Sequence, residues 1–93
     1  MNQEKCNAIE AYLSDNFPGS QIEQANISDD QHYQIHTENG SLMLIAGRNF
    51  IDDNSQDEII NKLKSWNVPN MLKEDRKLGI LVTDAGANTY QRS

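Results

Sequence analysis

One cysteine, two prolines and no apolar run longer than a few residues set the first limits on this chain. Cys6 has no second cysteine to bond, so an internal disulfide is excluded. The longest apolar stretch, LMLIA at residues 42–46, falls far short of the roughly 20 residues that a membrane-spanning helix needs. The opening MNQEKCNAIEAY has no apolar segment of signal-peptide length. These absences lead to the expectation of a cytoplasmic protein with no membrane partner. Basic residues are also scarce: eight Lys and Arg stand against fourteen Asp and Glu, a net charge of −6. Phosphate contacts need a concentrated positive surface, so direct nucleic-acid binding is disfavoured. Neither GxGxxG nor GxxxxGK followed by Ser or Thr occurs, so TDAGAN at 83–88 reads as a turn rather than a phosphate cradle.

What is present fits one small α+β domain, for 93 residues bury roughly 60–65% of their unfolded surface and leave little apolar material for a deep cavity. From Asn2 to Asn16, Cys6, Ile9 and Leu13 recur at helical spacing, with Phe17 just beyond, and the FPGS turn ends the helix. QIEQANIS is a weak strand, and Asp29-Asp30 mark a turn. HYQIHT and LMLIAG then flank Asn39-Gly40, a pair suited to a type I′ hairpin turn. With those two as the turn, Thr37 stands opposite Leu42, Ile35 opposite Leu44 and Tyr33 opposite Ala46. The other face pairs His36 with Met43 and Gln34 with Ile45.

In FIDDNSQDEIINKLKSW, Ser55 and Glu58 match a capping box, and Ile59, Ile60, Leu63 and Trp66 make an apolar stripe, so a second helix is expected. Pro69 stops or kinks it, NMLKEDRK adds at most a short turn, and LGILVT reads as a buried strand. Residues 84–93 are expected to be a loose tail, with Thr89-Tyr90 as a further edge strand the one alternative. The expected order is helix, antiparallel three-stranded meander, helix and strand in two layers, with both helices on one sheet face. The core would hold Ile9, Leu13, Phe17, Tyr33, Ile35, Leu42, Leu44, Ile59, Leu63, Trp66, Ile80 and Val82. Two positions for the last strand remain open: beside the first strand or on the opposite edge.

No residue pattern makes a convincing catalytic or metal site. His32 and His36 would share a zinc ion on a helix, but on a strand four residues span about 13 Å, far beyond Zn–N distances near 2 Å. Asp29 and Asp30 are better turn formers than ligands. DDNSQDE lacks the glycine at the sixth position and the glutamate at the twelfth of a calcium loop, where Asp57 and Leu63 stand. Cys6 falls on the apolar stripe of the first helix, where a thiol stays protonated rather than nucleophilic. Lys62, Lys64, Lys73, Arg76 and Lys77 are too few, with Trp66 the one aromatic among them, to outweigh a solvated helix end.

Charge and apolar patterning say more. Residues 1–61 set eleven acidic groups against Lys5 and Arg48, a balance of −9; residues 62–93 set six basic groups against Glu74, Asp75 and Asp84, a balance of +3. LMLIA is apolar on both faces, and so, nearly, is LGILV. Met43 and Ile45, with Gln34 and His36 beside them, would therefore form a face for another protein or a second copy of the chain. As an alternative, Glu38, Asp52, Asp53, Asp57 and Glu58 would imitate nucleic acid and occupy a protein's basic groove. A metal-dependent enzyme built from His32, His36, Asp29 and Asp30 is the weakest of the three readings. The sequence implies no cofactor.

The opening third, IEAYLSDNFPGSQIEQANISDDQHYQIH, resembles the start of the BolA family, in which a helix ends near Phe-Pro and a histidine-led strand follows. Beyond Thr37 the chain departs from that family, with LMLIAGRNF where its helix-turn-helix and arginine-histidine pair would stand. The family's iron–sulfur partnership is therefore not carried over.

Overall fold

The computed structural model describes residues 3–74 and 76–91. Asn2, Asp75, Arg92 and Ser93, which enter the expectations above, lie outside the described residues. The fold is α+β, with four helices and a five-stranded mixed sheet in the order α1 (Gln3–Asn16), β1 (Gln21–Ile27), β2 (Asp30–Thr37), β3 (Gly40–Ala46), α2 (Arg48–Asp53), α3 (Gln56–Ser65), α4 (Val68–Glu74), β4 (Leu78–Thr83) and β5 (Gly86–Gln91). The strands lie side by side in sequence order. Every neighbouring pair is antiparallel except β3 and β4, which run parallel. The final pair of strands thus sits on the β3 edge.

Alternation builds the core. Tyr33 and Ile35 of β2, Leu42, Leu44 and Ala46 of β3, and Ile80 and Val82 of β4 are at most 1% exposed, and they share one cluster with Cys6, Ile9, Leu13, Phe50, Ile51, Ile59, Leu63, Val68 and Leu72 from the helices. Trp66 packs against this cluster rather than inside it, its ring centroid 5.8 Å from that of Phe50. Tyr33 lies in the core with its hydroxyl donating to the Cys6 carbonyl of α1 at 2.7 Å.

Three differences from the sequence reading have physical causes. The stretch read as one helix, stopped or kinked at Pro69 with a short helical turn beyond, forms three helices. Asn54 ends α2 in an extended conformation, the Ser55–Glu58 capping box starts α3, and Asn67 at φ 58 turns the chain so that Pro69 falls in the first turn of α4, where its missing N–H costs nothing. A six-residue helix such as α2 is not stable alone, and burial of Phe50 and Ile51 holds it, each contributing about 1.5–3 kcal/mol.

The hairpin turn is Glu38-Asn39, not Asn39-Gly40, so Thr37 stands opposite Gly40, Ile35 opposite Leu42 and Tyr33 opposite Leu44. Thr37 Oγ1 accepts from the Asn39 N–H at 3.3 Å and donates to the Gly40 carbonyl at 2.7 Å, while Gly40, at φ 120, carries the positive dihedral. The first hairpin likewise turns on Ser28-Asp29, and Asp30 already belongs to β2.

Finally, residues 86–91, expected as a loose tail, form β5, paired along its length with β4; the alternative of an edge strand at Thr89-Tyr90 is the one realised. Sparse apolar content hid this strand, whose side-chain packing includes Ala87 against the core and a ring over a glycine. A Cβ at Gly79 would overlap the ring atoms of Tyr90.

Candidate functional site

Strand positions that alternate with the core set are half-buried, and they gather most of the candidate residues. Gln34 and Met43 are register partners, as are His32 and Ile45, and His36 and Ser41. The sequence reading paired His36 with Met43 and Gln34 with Ile45, two residues out of register, but a two-residue slip keeps every side chain on its face. Gln34, His36, Met43 and Ile45 are therefore together. Leu81 of β4 continues the row beyond Ile45, flanked by Asn88 of β5, and Tyr90 of β5 covers Gly79.

The result is an apolar patch across β3, β4 and β5, formed by Met43, Ile45, Leu81 and Tyr90. A polar flank lies across β2 and β1, formed by His32, Gln34, His36 and Glu23. His36 is fastened on two sides. Its Nδ1 is 3.2 Å from Ser41 Oγ, and its Nε2 is 3.2 Å from Glu23 Oε1 but without the alignment of a hydrogen bond. Ile27, 52% exposed, ends the β1 side of this face. Leu81 belongs to the LGILV run that is apolar on nearly both faces, whereas Tyr90 was offered only as part of an edge strand alternative to the tail and not as a member of this face.

The five candidate acidic residues are not one patch. Glu38 sits in the β2–β3 turn, while Asp52, Asp53, Asp57 and Glu58 follow the far end of β3, about 20 Å of strand away. Glu58 is also committed to its helix: its Oε1 accepts from the Ser55 N–H at 2.9 Å, which holds its carboxyl below the ordinary 4.5. Asp29 pairs with Arg48 at 3.6 Å, and Asp30 accepts from the Arg48 N–H at 3.1 Å.

His32 and His36 lie on one strand, as the hairpin reading expected, and no group of three or more His, Cys, Asp or Glu among the described residues could hold a metal ion. Cys6 is 2% exposed on the core side of the sheet, where burial pushes its thiol above 9.0. Both imidazoles are on the opposite side, so a thiolate–imidazole pair is not assembled. An open cleft of about 580 Å³ lies at the carboxyl ends of the parallel strands β3 and β4, where ligands of open α/β sheets bind. Its charged lining, Asp29, Asp30, Arg48 and Asp84, is largely paired internally or with Asn54 and Lys62. Among the described residues, no helix is long and apolar enough to cross a membrane. No protein-family model matches this chain, nor does any curated protein or solved structure match it significantly.

Proposed function

We propose that this chain is a non-enzymatic module that binds another protein through the half-buried face of its sheet. In this reading the helices form one layer against Tyr33, Ile35, Leu42, Leu44, Ile80 and Val82, and the opposite face has no covering layer. The observation that carries it is the contiguity of Met43, Ile45, Leu81 and Tyr90 across three strands, bordered by the uncharged amide of Gln34 and by His32 and His36. An apolar centre with a polar border is the anatomy of a protein interface. A single buried cysteine is in keeping with a reducing compartment such as the cytoplasm.

The test is a variant carrying Met43→Glu and Ile45→Lys. It should keep the circular dichroism spectrum and cooperative melting of the parent while losing the protein that the parent captures from a lysate. Unchanged capture with an intact fold would refute the reading.

A second, narrower reading uses Asp52, Asp53, Asp57 and Glu58, all exposed and gathered at the end of α2 and the start of α3, as an acidic mimic of nucleic acid. Such binding would weaken steeply with salt and disappear on charge reversal at Asp53 and Asp57, with the sheet-face variant unaffected.

A further inference from the structure

We propose that Asn39 is a site of spontaneous covalent modification: its side-chain amide closes on the Gly40 backbone nitrogen to a cyclic imide, which water opens to aspartate or isoaspartate, the latter unlatching the β2–β3 turn. Sequence alone narrows the choice. Of eleven asparagines, Asn39 is the one that precedes a glycine. Ring closure needs the following nitrogen to reach the asparagine Cγ, and glycine offers no Cβ to obstruct that approach. Asn54 precedes serine and Asn7 precedes alanine, both small residues that still carry a Cβ.

The fold separates these three. Asn54 is 5% exposed, and its amide donates to the Phe50 carbonyl and Asp84 while accepting from Lys62. Asn7 lies within α1, where helical hydrogen bonding holds the backbone, and its Oδ1 accepts from Gln3 and Gln24. Asn39 differs on each count. Glu38, Asn39 and Gly40 are exposed, and the Asn39 side-chain amide has no hydrogen-bond partner among the described residues. Nothing lies within 4 Å of where a Gly40 Cβ would stand, so the space for a ring is open. Thr37 and Gly40 are the closing pair of the hairpin, and fraying of that one pair releases the Gly40 nitrogen.

The chemistry needs water and no oxidant or reductant. Hydroxide takes the Gly40 N–H proton, the nitrogen bonds to Asn39 Cγ, and the Cγ–Nδ2 bond breaks, so Nδ2 departs as ammonia. Water then adds to one imide carbonyl. Addition at Cγ breaks its bond to the Gly40 nitrogen and leaves aspartate. Addition at the Asn39 main-chain carbonyl breaks the original peptide bond and leaves isoaspartate, with Gly40 attached through the former side chain. Either product adds one negative charge to a chain of net charge −6. Isoaspartate also lengthens the main chain by one carbon between two groups that the Thr37 hydroxyl holds together, the Asn39 N–H at 3.3 Å and the Gly40 carbonyl at 2.7 Å. One hydroxyl then no longer reaches both.

The test is peptide mass mapping of the whole chain after incubation at neutral and at mildly alkaline pH, folded and unfolded in urea. The expected result is conversion confined to Asn39 in the folded protein, faster at the higher pH and within about ten-fold of its rate in the unfolded chain. Asn39→Gln should abolish the acidic shift seen on ion exchange. Conversion of Asn39 only after unfolding would overturn the proposal, as would conversion of Asn7 or Asn54 ahead of it in the folded protein. Chains carrying isoaspartate, separated by ion exchange and identified by fragmentation, should melt below the Asn39→Asp variant, which has the same charge on an unaltered main chain. Equal melting of the two would overturn the unlatching of the turn.

Discussion

The ring of Tyr90 lies over Gly79, in the space that a Cβ at position 79 would occupy. This contact adds side-chain packing to the backbone pairing of β4 and β5, and it sets Tyr90 beside the other apolar residues of the candidate binding face. Gly79→Ala should displace the ring and destabilise the protein by about 1–2 kcal/mol. In a Tyr90→Ala background the same change should cost clearly less, because nothing remains to be displaced. Chemical denaturation of the four members of this cycle checks it, and additive costs would mean the ring does not depend on the glycine.

The two hairpin turns respond in opposite ways to glycine chemistry. Asp29 has φ 69 without being glycine, so Asp29→Gly should stabilise the fold by about 0.5–1 kcal/mol. The Arg48 ion pair lost with it joins two side chains that are more than half exposed and should cost little. Gly40→Ala, at φ 120, should destabilise by about 1 kcal/mol or more. Thermal melts of both variants suffice, and a destabilised Asp29→Gly would show that the positive φ costs Asp29 little.

These turns also show what the sequence discloses and what it hides. Alternation in HYQIHT and LMLIA identifies which residues are buried, since Tyr33, Ile35, Leu42 and Leu44 stay on the core face under any even slip of register. Cross-strand partners are another matter. They depend on whether Asn39 shares the positive φ with Gly40, and here Gly40 alone carries it while the Thr37 hydroxyl bonds to both residues. β5 was legible only as the alternative of an edge strand at Thr89-Tyr90. GANTYQ carries almost no apolar signal, and the glycine that receives the Tyr90 ring stands in a different strand. The candidate face was half visible, with Met43 and Ile45 read from the two-sided apolar strand and Tyr90 offered only in the alternative to a tail.

Alkaline pH should unfold the protein through two buried groups. Burial pushes Tyr33 far above its ordinary 10.0, and burial raises Cys6 above 9.0. Because both folded pKa values lie above the unfolded ones, each contribution is complete below the ordinary value and is lost as pH rises past it. Stability should therefore fall from about pH 9 upward, with a slope approaching about 1.4 kcal/mol per pH unit for Tyr33 once unfolded tyrosine ionises. Tyr33→Phe should cost about 1 kcal/mol at neutral pH by removing the bond to the Cys6 carbonyl, and should flatten the alkaline fall. Urea titrations of both proteins from about pH 8 to 11 decide it, and parallel curves would count against it.

Asn54 locks the break between α2 and α3, and its role can be tested by exchanging donor and acceptor. It is 5% exposed. Its Nδ2 donates to the Phe50 carbonyl at 2.8 Å and to Asp84 Oδ1 at 2.9 Å, and its Oδ1 accepts from Lys62 Nζ at 2.7 Å. One amide thus satisfies the last turn of α2, the end of β4 and a lysine of α3. Asn54→Asp would replace the donor with a carboxylate facing Asp84 and the Phe50 carbonyl, so about 2–3 kcal/mol should be lost. Lys62, within 3.9 Å of Asp84, offsets only part of that repulsion. Adding Asp84→Asn supplies an amide that can donate to the new carboxylate, and the double variant should recover much of the loss. The recovery measures coupling across this junction. Its absence would show that the Phe50 carbonyl, rather than Asp84, is the partner that matters, because that carbonyl is unsatisfied in both variants.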